Sequence, residues 1–207
     1  MLTTRRVFST GAMMALLSAC GGRPRGGSVV AARAPDPVMQ AVANPAFDAW
    51  VAGFKGRAAS KGISTRTIST SFAQAGYLPD VIDRDRNQTE FSRTLEEYLA
   101  IAASDERVAK GRANYARYRD VLGQIESRYG VEAHVVTAIW GLESMFGERR
   151  GNVPVVSALS TLAFDGRRGA FFESQLIAAL QILDNGDTTP ARMTGSWAGA
   201  LGHTQFI

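Results

Sequence analysis

The chain has 207 residues, 45% of them hydrophobic and 20% charged, which suits one globular domain, with or without a small partner, and excludes a disordered chain. Its formal charge is +4, but Arg5, Arg6, Arg23 and Arg25 fall in the first 26 residues, and the rest carries as many acidic as basic side chains. The basic balance belongs to the leader and the tether after it, so charge does not point to a nucleic-acid partner.

In chain order, residues 1–19 read as an export signal. Arg5 and Arg6 precede an apolar stretch too short to span a bilayer. "TTRRVF" resembles a twin-arginine signal, although paired arginines also occur in ordinary leaders. Leu17-Ser18-Ala19-Cys20-Gly21 resembles a bacterial lipoprotein cleavage box, which implies lipidation of Cys20 and attachment to a membrane. Cys20 is the only cysteine, so the chain has no internal disulfide and no cysteine metal site. Gly21 rather than Asp after the cysteine resembles outer-membrane sorting, on the periplasmic side. Residues 20–43 are rich in Gly, Pro and Arg and read as the lipidated cysteine and a flexible tether.

From residue 44 to 207 the pattern is helical. "PAFDAWVAGFKGRAASKG" has apolar residues at 47, 50, 51 and 54. "STRTISTSFAQAG" follows, with Ser64 as N-cap and Gly76 as C-cap. "YLPDVIDRDRNQTEF" has no clean period and is expected to be an ordered loop. "SRTLEEYLAIAA" predicts a helix, and residues 104–130 predict one long helix from Ser104 to the stop at Gly130. Helices near 132–146 and 169–184 bracket "GNVPVVSALSTLAF", itself expected to be helical after Pro154. There is no alternating strand run, hairpin signal or internal repeat. The expected class is all-α.

Glu143, in "VEAHVVTAIWGLESMFGERR", stands out. Val136, Ile139, Trp140 and Phe146 share its helical face, and Gly147 reads as a C-cap. An apolar wall and the negative end of the helix dipole both disfavour a carboxylate, so a raised pKa is expected. That is what a general acid for glycosidic cleavage needs. The alternative is a glutamate that turns to solvent or pairs with Arg149 or Arg150. A second stretch, "GSWAGALGHTQF" at 195–206, combines Gly195, Gly199 and Gly202 with the hydrogen-bonding groups of Ser196 and Gln205. Small residues of this density allow close approach of backbone to a ligand; a loop or a tight crossing is the other reading. His134 and His203 are too few to propose a metal.

"GLESMFG" together with "GSWAGALGHTQF" resembles the lytic murein transglycosylase B family, periplasmic enzymes that cleave peptidoglycan strands. "EFSRTLEEYL" and "ALSTLAFDGRRGAFF" are similar to the family's segments on either side of the catalytic helix. The resemblance covers roughly residues 45–207 and implies a lysozyme-like helical catalytic domain, monomeric and without a cofactor, acting on glycan strands. It implies Glu143 as the catalytic acid, and Ser196, Gln205 and Tyr98 as substrate-binding residues. Arg167 and Arg168 match an arginine pair near the cleft. The implied reaction forms a 1,6-anhydromuramyl end with a single carboxylate, whereas a muramidase needs a second. Glu148 and Asp165 are the nearest candidates for that second acid, and both read as surface groups. The family continues past "HTQFI" with a further helical stretch, so the domain is expected to be incomplete at its C-terminus. A non-catalytic peptidoglycan-binding lipoprotein, or an inactive fragment, is the alternative function.

Overall fold

The computed structural model describes residues 39–87 and 94–206; the expected export signal, Cys20 and most of the expected tether lie outside the described residues. The helices are α1 (Pro45–Ser60), α2 (Thr65–Phe72), α3 (Pro79–Arg86), α4 (Leu95–Ala102), α5 (Asp105–Arg117), α6 (Arg119–Tyr129), α7 (Ala133–Ser144), α8 (Val155–Asp165) and α9 (Gly169–Asp184). Two residues of strand, β1 (Val153–Pro154) and β2 (Thr194–Gly195), pair antiparallel, with Val153 opposite Gly195 and Pro154 opposite Thr194. The helical class matches the expectation.

α8 is the central helix. Every residue from Val155 to Ala163 is buried, as a helix apolar nearly all round requires. Its hydroxyls are satisfied locally. Ser160 Oγ donates to Val156 O at 2.6 Å, while Thr161 Oγ1 accepts from Leu78 N–H at 3.1 Å and Ser157 Oγ from Gly76 N–H at 3.2 Å. The core around it draws on α1, α2, α3 and α9, with Phe47, Phe54, Val81, Phe172, Leu176 and Leu180 among its fully enclosed side chains. Packing is already established before α1, where Met39 is buried and Val42 N–H bonds Tyr77 O.

Sequence and structure part at two elements. The expected loop at 77–91 contains α3. Pro79 opens it in the first turn, where its missing N–H costs nothing, with Asp80 near the start and Arg84 and Arg86 near the end. Only Val81, Ile82 and Asp85 are buried, too short a face to register as a period. The expected single helix over 104–130 is broken at Tyr118, whose φ of −106° and ψ of 21° end α5 and start α6. No Gly or Pro marks the break. The bend sets the Tyr118 ring edge-on to Trp140 of α7, with centroids 5.4 Å apart, so tertiary packing overrides a continuous helical pattern. Smaller differences are at helix ends: α2 stops at Phe72 rather than Gly76, and α7 stops at Ser144, ahead of Gly147.

Candidate active site

The β1–β2 pairing brings the two outstanding motifs together, since β1 follows the turn after α7 and β2 leads into residues 195–206. Glu143 lies in the last turn of α7, one residue before its end. That helix buries its small face, Ala133, Thr137, Gly141 and Ser144, at intervals of three or four. The small face admits close approach of α5 and α6. The bulkier face is left outside, with Val135, Ile139 and Leu142 at 37%, 44% and 46% exposure. Glu143 is exposed with them, so the apolar enclosure expected around its carboxylate is not formed. Nor does it pair with Arg149 or Arg150; it has no hydrogen-bond or ionic partner among the described residues.

The turn beyond Glu143 is strained. Met145, Phe146 and Gly147 have consecutive positive φ values of 50°, 59° and 88°, a region that costs a non-glycine residue about 1 kcal/mol or more and that gathers at functional sites. Hydrogen bonds hold it. Met145 N–H and Phe146 N–H donate to Gly141 O and Trp140 O, each at 3.2 Å, and Arg149 N–H donates to Ser144 O at 2.8 Å.

Residues 195–206 form a compact loop. Ser196 N–H donates to Ala200 O at 2.9 Å, and Ala200 N–H returns to Ser196 Oγ at 3.1 Å. Leu201 and Phe206 exchange both backbone bonds, at 2.6 and 3.1 Å, and Gln205 within this tight turn has φ 52°. Two of the glycines face the protein itself rather than a ligand. A Cβ on Gly195 would overlap the Ala200 carbonyl, and one on Gly199 would overlap Leu159. Their small size serves internal close packing here, which sequence density alone does not distinguish from ligand approach.

The loop is bolted to the end of α7. Trp140 Nε1–H donates to His203 Nδ1 at 2.9 Å, and Ser144 Oγ–H donates to His203 O at 2.5 Å. Gln205 Nε2 donates to Arg150 O at 3.2 Å and Gly202 O at 2.9 Å. So Glu143 and Gln205 belong to segments in direct contact, and Ser196 anchors the start of the same loop. Tyr98, on α4, is 49% exposed. It lines an apolar groove of about 610 Å³ between α4, α5 and α7, which reaches Leu142, the neighbour of Glu143.

Arg167 and Arg168 are engaged differently. Asp85 of α3 is 3% exposed; its Oδ2 accepts from Arg167 Nε at 2.8 Å, its Oδ1 from Arg168 Nη2 at 2.6 Å, and its backbone O from Arg167 Nη2 at 2.8 Å. The two guanidinium groups clamp the α8–α9 connection onto α3 and still show about half of their side-chain surface, 51% and 47%. The two possible second acids are paired with cations. Glu148 meets Lys110 of α5 at 2.7 Å and Asp165 meets Arg86 at 2.7 Å. Hydrogen bonds from Lys110 to Glu148 and then Glu106 hold its ammonium above the usual lysine range.

His203 is the hydrogen-bonded loop histidine that its place in the sequence suggests; sequence reasoning missed the Asp85 clamp and the partner of that histidine. The signal for His203 was Trp140. An indole N–H on a part-buried helix face needs an acceptor. Among the described residues no cluster of three or more His, Cys, Asp or Glu side chains is arranged to hold a metal.

The transglycosylase SLT domain family matches residues 46–207. Membrane-bound lytic murein transglycosylase B of Escherichia coli K12 is 32% identical over 101 residues, covering 48% of this chain and 28% of that protein. The crystal structure of SltB3 from Pseudomonas aeruginosa, in complex with NAG-NAM-pentapeptide, superposes with a TM-score of 0.76 at 43% identity, covering 79% of this chain and 44% of that one. Soluble lytic transglycosylase SltB1 from the same organism gives 0.66 at 31%, covering 76% and 54%. The chain thus spans little more than half of these relatives at most. With the helical fold shared and nearly the whole described region matched, the chain belongs to the transglycosylase SLT domain family.

Proposed function

We propose that this chain contributes the catalytic core of a peptidoglycan lytic transglycosylase, with Glu143 as its acid. Glu143 donates a proton to the oxygen between N-acetylmuramic acid and N-acetylglucosamine as that bond breaks. The resulting carboxylate then takes the proton of the muramyl C6 hydroxyl, whose oxygen closes on the anomeric carbon to give the 1,6-anhydro end. One carboxylate serves both steps, so no cofactor is needed. The observation that carries this reading is the free carboxylate of Glu143 at the head of a strained turn, bolted to the loop of Ser196 and Gln205. Engagement of Glu148 and Asp165 by cations supports it over a muramidase.

Ser196 keeps its hydroxyl proton for a sugar, because its oxygen is the acceptor from Ala200. Gln205 has both its donor contacts in use within the protein, which leaves Oε1 as an acceptor. Tyr98 offers an aromatic wall in the groove, and Arg167 and Arg168 offer their outer N–H edges to anionic substituents. The substrate class is that of the matched SltB3 complex, a NAG-NAM-pentapeptide.

Digestion of purified peptidoglycan by the chain beside Glu143→Gln tests the reading. Anhydromuramyl ends by mass spectrometry, lost in the variant, are the expected result; reducing ends mean a hydrolase. The openness of Glu143 favours one second reading, binding of glycan strands without turnover, and sedimentation with peptidoglycan but no products would establish it.

We further propose that the protein is a monomer held at the periplasmic face of the outer membrane by lipid on Cys20. The cleavage-box resemblance and the membrane-bound E. coli relative support this, and no helix among the described residues is long and apolar enough to cross a membrane. Loss of radiolabelled acyl chain on Cys20→Ala is the expected outcome.

A further inference from the structure

An exposed carboxylate at a helix end works as an acid only if that end is held still. The contacts on the last turn of α7 and its continuation converge on one residue. His203 receives the indole N–H of Trp140 on Nδ1 at 2.9 Å, and the two rings lie 5.6 Å apart. Its backbone oxygen receives Ser144 Oγ–H at 2.5 Å, and Ser144 Oγ in turn accepts from Gly147 N–H at 3.0 Å. A Cβ on Gly147 would approach His203 Nδ1 to 2.5 Å, so the ring lies flush against the strained turn. His203 therefore touches residues 140, 144 and 147, on both sides of Glu143. Indole nitrogen is a donor only, so Nδ1 must be unprotonated and the neutral ring carries its proton on Nε2.

We propose that neutral His203 is a positioning residue for Glu143, locking the end of α7 to the 195–206 loop through Trp140. The inference rests on the proposed role of Glu143. Protonation of the imidazole would set Nδ1–H against the indole N–H, two donors facing each other, and release the ring. The other titratable or charged groups on α7 and the turn after it are Glu143, His134 in the first turn of the helix beside Glu132, and Glu148, Arg149 and Arg150; Tyr118 lies beside Trp140, and Glu148 is held by Lys110 of α5. Residues 195–206 carry no charged side chain, and His203 is the titratable one among them.

The test compares wild type with His203→Asn, His203→Ala and Trp140→Phe. Asparagine places an acceptor where Nδ1 lies but does not titrate. Tryptophan fluorescence is read first, between about pH 8 and about pH 5, the range in which imidazoles gain their charge. Acid quenching in wild type that disappears in His203→Asn and in Trp140→Phe supports the lock. Quenching that persists in His203→Asn, or no pH response in wild type, overturns it. Turnover is read second: His203→Ala is expected to lose on the order of tenfold or more in kcat with KM nearly unchanged, the signature of a misplaced reacting group. His203→Asn is expected to recover most of that loss. Equal activity in wild type and His203→Ala overturns the proposal. Should no protein turn over, wild type included, the role of Glu143 is what fails, and the fluorescence result still decides whether the lock exists.

Discussion

The ring of Phe146 lies on the bare Cα of Gly141, so close that a Cβ there would come within 2.5 Å of its Cζ. The same ring lies over Gly111 of α5, where a Cβ would meet Cζ at 3.3 Å. The first residues after the candidate acid thus turn back under its own helix, and Phe146 accepts a φ of 59° to do so. Gly141→Ala is expected to destabilise the fold by up to about 2 kcal/mol. Overpacking costs roughly 1–3 kcal/mol, against about 1 kcal/mol gained by removing a helical glycine. Gly123→Ala on α6 is the control, because a Cβ there meets nothing within 4 Å; it is expected to stabilise by about 0.5–1 kcal/mol. Urea midpoints of the two variants should move in opposite directions.

Glu143 separates function from stability. It is exposed and unpartnered among the described residues, so Glu143→Gln is expected to shift stability by no more than about 0.5 kcal/mol. Loss of a general acid is expected to lower turnover by about 10²- to 10⁴-fold. A variant that loses activity only in proportion to its melting temperature would remove Glu143 from the chemistry.

The all-α class and most helix positions were legible because apolar spacing and caps coincide, as at Ser64, which accepts the expected backbone N–H bond; Asn44 and Thr94 cap α1 and α4 in the same way without having been singled out. The face of α7 was not legible. Its sequence offers two candidate faces, one bulky and one of small residues, and the fold buries the small one. Periodicity counts apolar residues and carries no information on how closely a neighbouring helix must approach. For the same reason the glycines at 195 and 199 suggested a ligand, when Ala200 and Leu159 already fill the space. Arg167 and Arg168 were legible as a pair, but the buried Asp85 that holds them lies in a segment with no periodic signal.

That clamp makes an asymmetric prediction. Asp85 is 3% exposed, whereas its two arginines show about half of their surface. Asp85→Asn removes a charge whose partners can turn to water, and is expected to cost about 1.5–3 kcal/mol in lost charge-assisted hydrogen bonds. The double variant Arg167→Ala/Arg168→Ala leaves the carboxylate buried and uncompensated, and is expected to cost more, about 3–5 kcal/mol. Denaturant titrations of the two proteins decide the order; the reverse order would mean that Asp85 is reached by water.

Gly151 tests the contact between the two motif segments. Its φ is 83°, and an added Cβ would overlap the Gly195 carbonyl and reach Ser196 N at 2.5 Å. Gly186 has a similar φ of 80° but open space around it. Both alanine variants suffer left-handed strain of about 1–2 kcal/mol, and Gly151→Ala adds an overpacking cost of roughly 1–3 kcal/mol. Thermal melts should place Gly151→Ala clearly below Gly186→Ala, and only Gly151→Ala should alter turnover.

Asp184 gives the fold a defined acid sensitivity. Its carboxylate, at the end of α9, accepts Ser64 Oγ–H at 2.5 Å and Thr67 Oγ1–H at 2.6 Å, and so fastens α9 to the first turn of α2. Hydrogen bonds from Ser64 and then Thr67 hold its carboxyl below the usual aspartate range. A depressed folded value means that the contribution is complete above the unfolded aspartate pKa of about 3.9 and is lost as pH falls through the lower folded value. Asp184→Asn is therefore expected to have a lower urea midpoint than wild type near neutral pH. Below about pH 4 the gap should narrow as the wild-type carboxylate takes up its proton. A gap that stays constant from neutral pH into that acid range would show that the ionised form of Asp184 is not what ties α9 to α2.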